Sequence, residues 1–170
     1  MEPTPLSRAL ERAPERPVAD AVKPEQEFFL FRLGKLFLGV ASVNVREVTR
    51  LGALTPLPRM AAFVLGVAGH RGEVLPVVDL LRFFGQGESR VGVRSRAFVG
   101  ISGSHTAACI ADEVVGLRKL LLADVWAPPV GGDIPVEHLL GVVAAPNGET
   151  LHLLNLPRVM HAARQKVVAR

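Results

Sequence analysis

The 170-residue sequence has one cysteine (Cys109), one tryptophan, no tyrosine, and no apolar run of membrane-spanning length. Each shortage excludes something. A single thiol cannot close an intramolecular disulfide. Cys109 lies within Ala107-Ala108-Cys109-Ile110-Ala111, where a free thiol packs as a small hydrophobe. A helix crossing a bilayer needs roughly 18–20 apolar residues, so no membrane insertion is expected. The N-terminus lacks a basic stretch followed by an apolar segment, so no signal peptide is expected and the chain is placed in the cytoplasm. The aromatic shortage bears on charge. A net charge of +4 and a pI near 10.0 invite a nucleic-acid reading. A basic interface of that kind usually carries exposed aromatics or a recognised motif, and neither is present. Much of the excess is local: Arg158, Arg164, Lys166 and Arg170 close the chain with no acid among them.

Catalytic and ligand-binding signatures are missing too. His70, His105, His138, His152 and His161 never fall at a metal-ligand spacing, and no cysteine cluster accompanies them. His152, set among Leu151, Leu153 and Leu154, reads as a hydrogen-bonded structural imidazole, and His70 as a turn residue free to face a contact surface. Gly85-Gln86-Gly87 lacks the third glycine and the Lys-Ser/Thr ending of a phosphate loop. No serine occupies a nucleophile motif, and the acids are dispersed. The expectation is a protein with no catalytic residues, no metal and no cofactor.

Apolar residues make up 49% and charged residues 21%, a globular composition with chain enough for a substantial core. Residues 1–26 hold Pro3, Pro5, Pro14, Pro17 and Pro24 among alternating charges, and read as a flexible tail. Phe29–Leu33 and Leu36–Val40 flank Gly34-Lys35 as a hairpin with a type II′ turn. Ser42–Val48 reads as a short helical turn leading into a strand. Thr55-Pro56-Leu57-Pro58 is a loop, because two prolines deny donors to a ladder. Ala62–Gly69 and Val74–Val78 read as strands around the turn His70–Glu73, with Pro76 marking an edge or bulge. Asp79 can cap a short helix through Phe84. Gly85–Arg90 reads as a mobile linker, after which a second hairpin turns at Gly103-Ser104.

The pattern then repeats. Val64-Leu65-Gly66-Val67 recurs 75 positions later as Leu139-Leu140-Gly141-Val142. Gly72-Glu73-Val74-Leu75 and Asp79-Leu80-Leu81-Arg82 recur 76 positions later as Gly148-Glu149-Thr150-Leu151 and Asn155-Leu156-Pro157-Arg158. Thr55–Pro58 has a counterpart in Trp126–Pro129. Several matches in one order indicate a duplicated unit. Two copies of a short-stranded unit suggest two small β-barrels side by side, since closure removes exposed edges, with an apolar seam where a groove can form. Glu47, embedded among valines, and Arg71, at a strand end, are the charges of interest. They are either separately solvated, as most surface charges are, or paired at the rim of that groove.

The segments Phe31-Arg32-Leu33-Gly34, Val45-Arg46-Glu47-Val48, Phe63–Val67, Arg71-Gly72 and Leu75-Pro76-Val77-Val78-Asp79-Leu80 resemble the CheW family of chemotaxis coupling proteins. Ile110–Val115, Pro128-Pro129 and Leu151–Leu156 continue the resemblance more loosely, so that it covers about residues 26–160. The resemblance implies an all-β fold of two pseudo-symmetric, five-stranded SH3-like barrels packed across a hydrophobic seam, with short helices and a C-terminal helix. On that basis the chain divides into a tail (1–26), a CheW-like domain (27–160) and a basic helix end (161–170). The resemblance also implies a non-enzymatic adaptor joining the cytoplasmic tip of a methyl-accepting chemoreceptor to the regulatory domain of a CheA-type histidine kinase. Its docking positions carry over to Val45, Glu47, Val48, Gly66 and Arg71, with Gly69, His70 and Val114 completing the candidate set, and Glu47 and Arg71 match a family pair. Two residues depart from the family: Gly69 stands where an asparagine is common, and His70 where an aliphatic residue is usual. Both lie on the docking turn, which keeps open an alternative, a protein that binds receptor without coupling the kinase.

Overall fold

A computed structural model describes residues 24–92 and 94–168. The first hairpin, β1 (Glu25–Leu33) and β2 (Leu36–Ala41), turns at Gly34 with φ +58, leaving Leu33 opposite Leu36. Strand β1 thus begins two residues inside the segment read as tail, and residues 1–23 lie outside the described residues. A 3-10 turn at Ser42–Asn44 leads into β3 (Val45–Arg50), followed by the two-residue β4 (Leu54–Thr55). Strands β5 (Val64–His70) and β6 (Glu73–Val78) come next, then helix α1 (Leu80–Phe84). The second half supplies β7 (Arg96–Ser102), β8 (His105–Ala111), β9 (Glu113–Leu121), β10 (Leu139–Ala144), β11 (Thr150–Leu154) and helix α2 (Leu156–Val168).

The sheets are not one per half. One is ordered β10-β11-β2-β1-β9 and the other β3-β7-β8-β6-β5-β4. Each sheet therefore takes its hairpin from one half and its other long strands from the other half. The duplication is visible in this exchange. Mapping β1, β2, β3, β5 and β6 onto β7, β8, β9, β10 and β11 turns one strand order into the other, including a parallel pair in each sheet, β11 with β2 and β6 with β8. Register shifts repeat at matching places, Val64/Gly66 with Leu139/Gly141 and Val45/Glu47 with Leu30/Phe31. In each sheet the segment after one edge strand returns to the opposite edge. Thr55 pairs with Val67, and Trp126 pairs with Val142.

The repeated glycines now have a cause. A Cβ on Gly66 would overlap the Thr55 carbonyl, and one on Gly141 would lie 2.8 Å from the Trp126 oxygen. Both admit the Pro-containing segment that crosses them. Pro76 sits where β6 lacks a second partner, because β6 meets β8 only at Val77 and Val78. The seam is apolar as expected. Phe29 and Phe31 of one sheet pack against Phe98 of the other at centroid distances of 5.4 and 4.8 Å, and all three are buried.

Asp79 caps α1 by accepting from Leu81 N at 3.0 Å, and Asn155 caps α2 through Arg158 N at 3.3 Å. Asp79 is fully buried and also holds Ser89, which donates from its backbone N (2.8 Å) and Oγ (2.6 Å). The segment read as a mobile linker is thereby tied to the start of the helix it follows. A contact ten residues away in sequence leaves no local signal.

Candidate docking site

The turn joining β5 to β6 has His70 paired with Glu73 and both central residues at positive φ, Arg71 at +49 and Gly72 at +80. That is the sign pattern of a type I′ turn, whose twist matches the flanking strands. An arginine held there costs roughly 1–2 kcal/mol, so its side chain is presented in a conformation the surrounding structure must enforce.

Across from this turn stands β3. Its register against β7 shifts between Val45 and Glu47, leaving Arg46 as the extra residue. Val45 packs against the main core, and Glu47 faces the turn. Glu47 Oε1 meets His70 Nε2 at 2.5 Å, and Oε2 meets Arg71 Nη2 at 3.1 Å. Arg46 Nε lies 3.8 Å from Glu47, while its Nη2 donates to Glu73 at 2.8 Å. The carboxylate is partly withdrawn from water, its side chain 20% exposed, as is His70 at 18%, whereas Arg71 is 75% exposed. The hydrogen bond with His70, above all, holds the Glu47 carboxyl below its ordinary pKa of 4.5; partial burial opposes this, and the charges of Arg71, His70 and Arg46 add to it.

The charged chain ends at a groove. A cavity of about 720 Å³ opens between β6, the start of β8 and α2, and Glu73 lines it beside Val74, Pro76, His105, Val159 and Val167. Both halves of the chain contribute to its walls. The C-terminal basic helix also borders the groove. Its Val159 and Met160 are buried, and Ala163, Arg164 and Val167 form a wall of the groove.

The remaining candidates fall into three groups. Val48 is exposed on β3 beside Glu47, and Gly69 is exposed on β5 with open space around it. Gly66 is buried and shapes the crossing at Thr55 rather than offering surface. Val114 lies on the other sheet, opposite Phe31. It is nevertheless the repeat counterpart of Val45, since each stands beside the matching register shift. The equivalent of Glu47 is then Gly116, so the second copy has no carboxylate there. Sequence reasoning missed Arg46 and Glu73, whose pairing depends on the strand closure and not on any local pattern.

Other titratable groups serve the core. Burial pushes the Cys109 thiol up to about 12, which keeps it protonated and inert. His138 stands 5.2 and 6.0 Å from the Phe83 and Phe84 rings, and burial lowers its pKa. His152 differs from expectation: its buried Nδ1 has no hydrogen-bond partner among the described residues. No group of His, Cys, Asp or Glu among the described residues is arranged to hold a metal.

A sequence profile described as the CheW-like domain matches residues 27–164. The chain is 57% identical over 159 residues to protein FrzA of Myxococcus xanthus, spanning 93% of this chain and 99% of that protein. It is 30% identical over 135 residues to the chemotaxis protein CheW of Rhizobium meliloti, covering 79% and 86% of the two chains. Among solved structures, the scaffolding protein TtCheW of Thermoanaerobacter tengcongensis superposes with a TM-score of 0.72 at 22% identity, over 80% of this chain and 88% of that one. That likeness concerns the fold.

Proposed function

The chain belongs to the CheW-like domain family, scaffold proteins of chemotaxis signalling rather than enzymes, and from that premise we propose that it is a cytoplasmic adaptor coupling a chemoreceptor to a CheA-type histidine kinase. The observation that carries this reading is the Glu47–Arg71 pair, braced by His70 and joined through Arg46 to Glu73 on the groove's edge. Such an arrangement suits a helical receptor tip. The groove supplies apolar area, and the charged rim supplies register and selectivity. Arg71 is the exposed member of the pair and the one a partner reaches first. Among the described residues no helix is long and apolar enough to cross a membrane.

A second reading, receptor binding without kinase coupling, is favoured by His70, whose imidazole engages one Glu47 oxygen directly at a position where the family usually carries an aliphatic side chain. Paired pull-downs with a receptor hairpin and a kinase regulatory domain separate the two, and capture of receptor alone selects the second. Arg71→Glu is expected to abolish docking while leaving the thermal midpoint within a few degrees, because an exposed ion pair is worth roughly 0–1 kcal/mol to folding. A charge-reversed variant that binds at wild-type affinity contradicts the site.

A further inference from the structure

Four arginines gather away from the docking turn. Arg90, Arg94 and Arg96 line a pocket of about 400 Å³ together with Gly92, Ser95 and Asp112. Arg50 stands directly opposite Arg96 across the β3–β7 ladder. Residues directly opposite in an antiparallel pair project to the same face, and like charges so placed repel. Among the described residues none of the four guanidinium groups is in an ion pair. Asp112 is the one acid in the pocket lining against three arginines, and its Oδ2 accepts from Gly34 N at 2.7 Å in the first hairpin's turn. Hydrogen bonds link Gly92, Ser95 and Leu51 beside the pocket. Ser95 N donates to Gly92 O at 3.0 Å, Gly92 N to Ser95 Oγ at 2.8 Å, and Leu51 N to Ser95 O at 2.8 Å. Ser95 keeps its hydroxyl proton available to a ligand.

We propose that this pocket binds a multiply charged phosphate anion. Guanidinium groups match phosphate oxygens in a bidentate fork, and several cations converging on one concavity suit a di- or polyphosphate better than a monocarboxylate. The site's apolar lining is confined to Val91 and Ala111, which argues against an acidic peptide needing side-chain pockets.

Isothermal titration of the intact protein with inorganic pyrophosphate at low salt tests this. Binding is expected, and Arg94→Gln and Arg96→Gln are each expected to weaken it roughly tenfold, the worth of one charge-assisted hydrogen bond. The double variant Arg118→Gln with Lys119→Gln removes twice the charge of either single variant, from exposed positions on β9, and should leave affinity unchanged. Parallel arms use a nucleoside diphosphate and phosphatidylcholine vesicles carrying phosphatidic acid. Binding to either arm that is lost with Arg94 and Arg96 supports the site and identifies a soluble or a lipid source. Absence of binding in all arms, or an equal loss in the Arg118 and Lys119 control, overturns the proposal.

Discussion

Glu47 offers one carboxylate oxygen to His70 and the other to Arg71, and its ionisation is therefore part of the geometry that holds the β5–β6 turn. Its pKa is lower in the folded protein than the ordinary 4.5. The carboxylate thus contributes stability that is fully present above the ordinary value and is lost as pH falls through the lowered one. Thermal denaturation of wild type and Glu47→Gln across the acidic range should show wild type ahead near neutrality and the gap closing under acid. A gap that widens on acidification contradicts the assignment. Two glycines of the same strand separate structure from surface. Gly66 lies at φ +144 under the Thr55 carbonyl, while Gly69 has nothing within 4 Å. Gly66→Ala should cost about 2–4 kcal/mol in denaturant unfolding, as strained positions do, and Gly69→Ala should stay within roughly 0.5 kcal/mol. Gly66 could be flagged in the sequence by its repeat at Gly141. Its reason could not, because the Thr55 crossing is a tertiary contact.

At the scale of elements, the helix caps and hairpin turns were readable because their chemistry is local: a carboxylate or amide at the N-cap, a glycine at a positive-φ turn. What was not readable is how unequal the two caps are. Asp79 is fully buried, caps α1, holds both Ser89 donors and lies 3.3 Å from Arg82 Nε. Asn155 is more exposed and supports α2 through one long hydrogen bond. Asn155→Ala should cost about 1 kcal/mol, an ordinary cap. Asp79→Ala should cost about 2–4 kcal/mol, because it leaves the buried Leu81 N and both part-buried Ser89 donors without an acceptor. It should also free residues 85–90, which is measurable as faster amide exchange at Ser89. Equal costs for the two substitutions would show that Ser89 contributes nothing to the fold.

The whole molecule is where sequence and structure part most. The repeat announced two units and an apolar seam, and both are present. The sequence order suggests that each copy folds on itself, whereas the hairpins are exchanged between sheets. Strand partners remote in sequence are set by the closing of a common core, and periodicity carries no record of them. The exchange has a consequence for folding. One sheet needs β1 and β2 from residues before the linker and β9 to β11 from after it, and the other sheet has the converse need. Phe29 and Phe31 likewise need Phe98. Neither half can satisfy its strand edges or bury its apolar faces alone. Fragments 1–90 and 91–170, prepared separately, should show little β-structure by circular dichroism. Mixed, they should form a one-to-one complex on size exclusion, with cooperative melting. A fragment that folds and melts cooperatively by itself would mean that the exchanged hairpin is dispensable, and that each copy retains the capacity to close its own sheet.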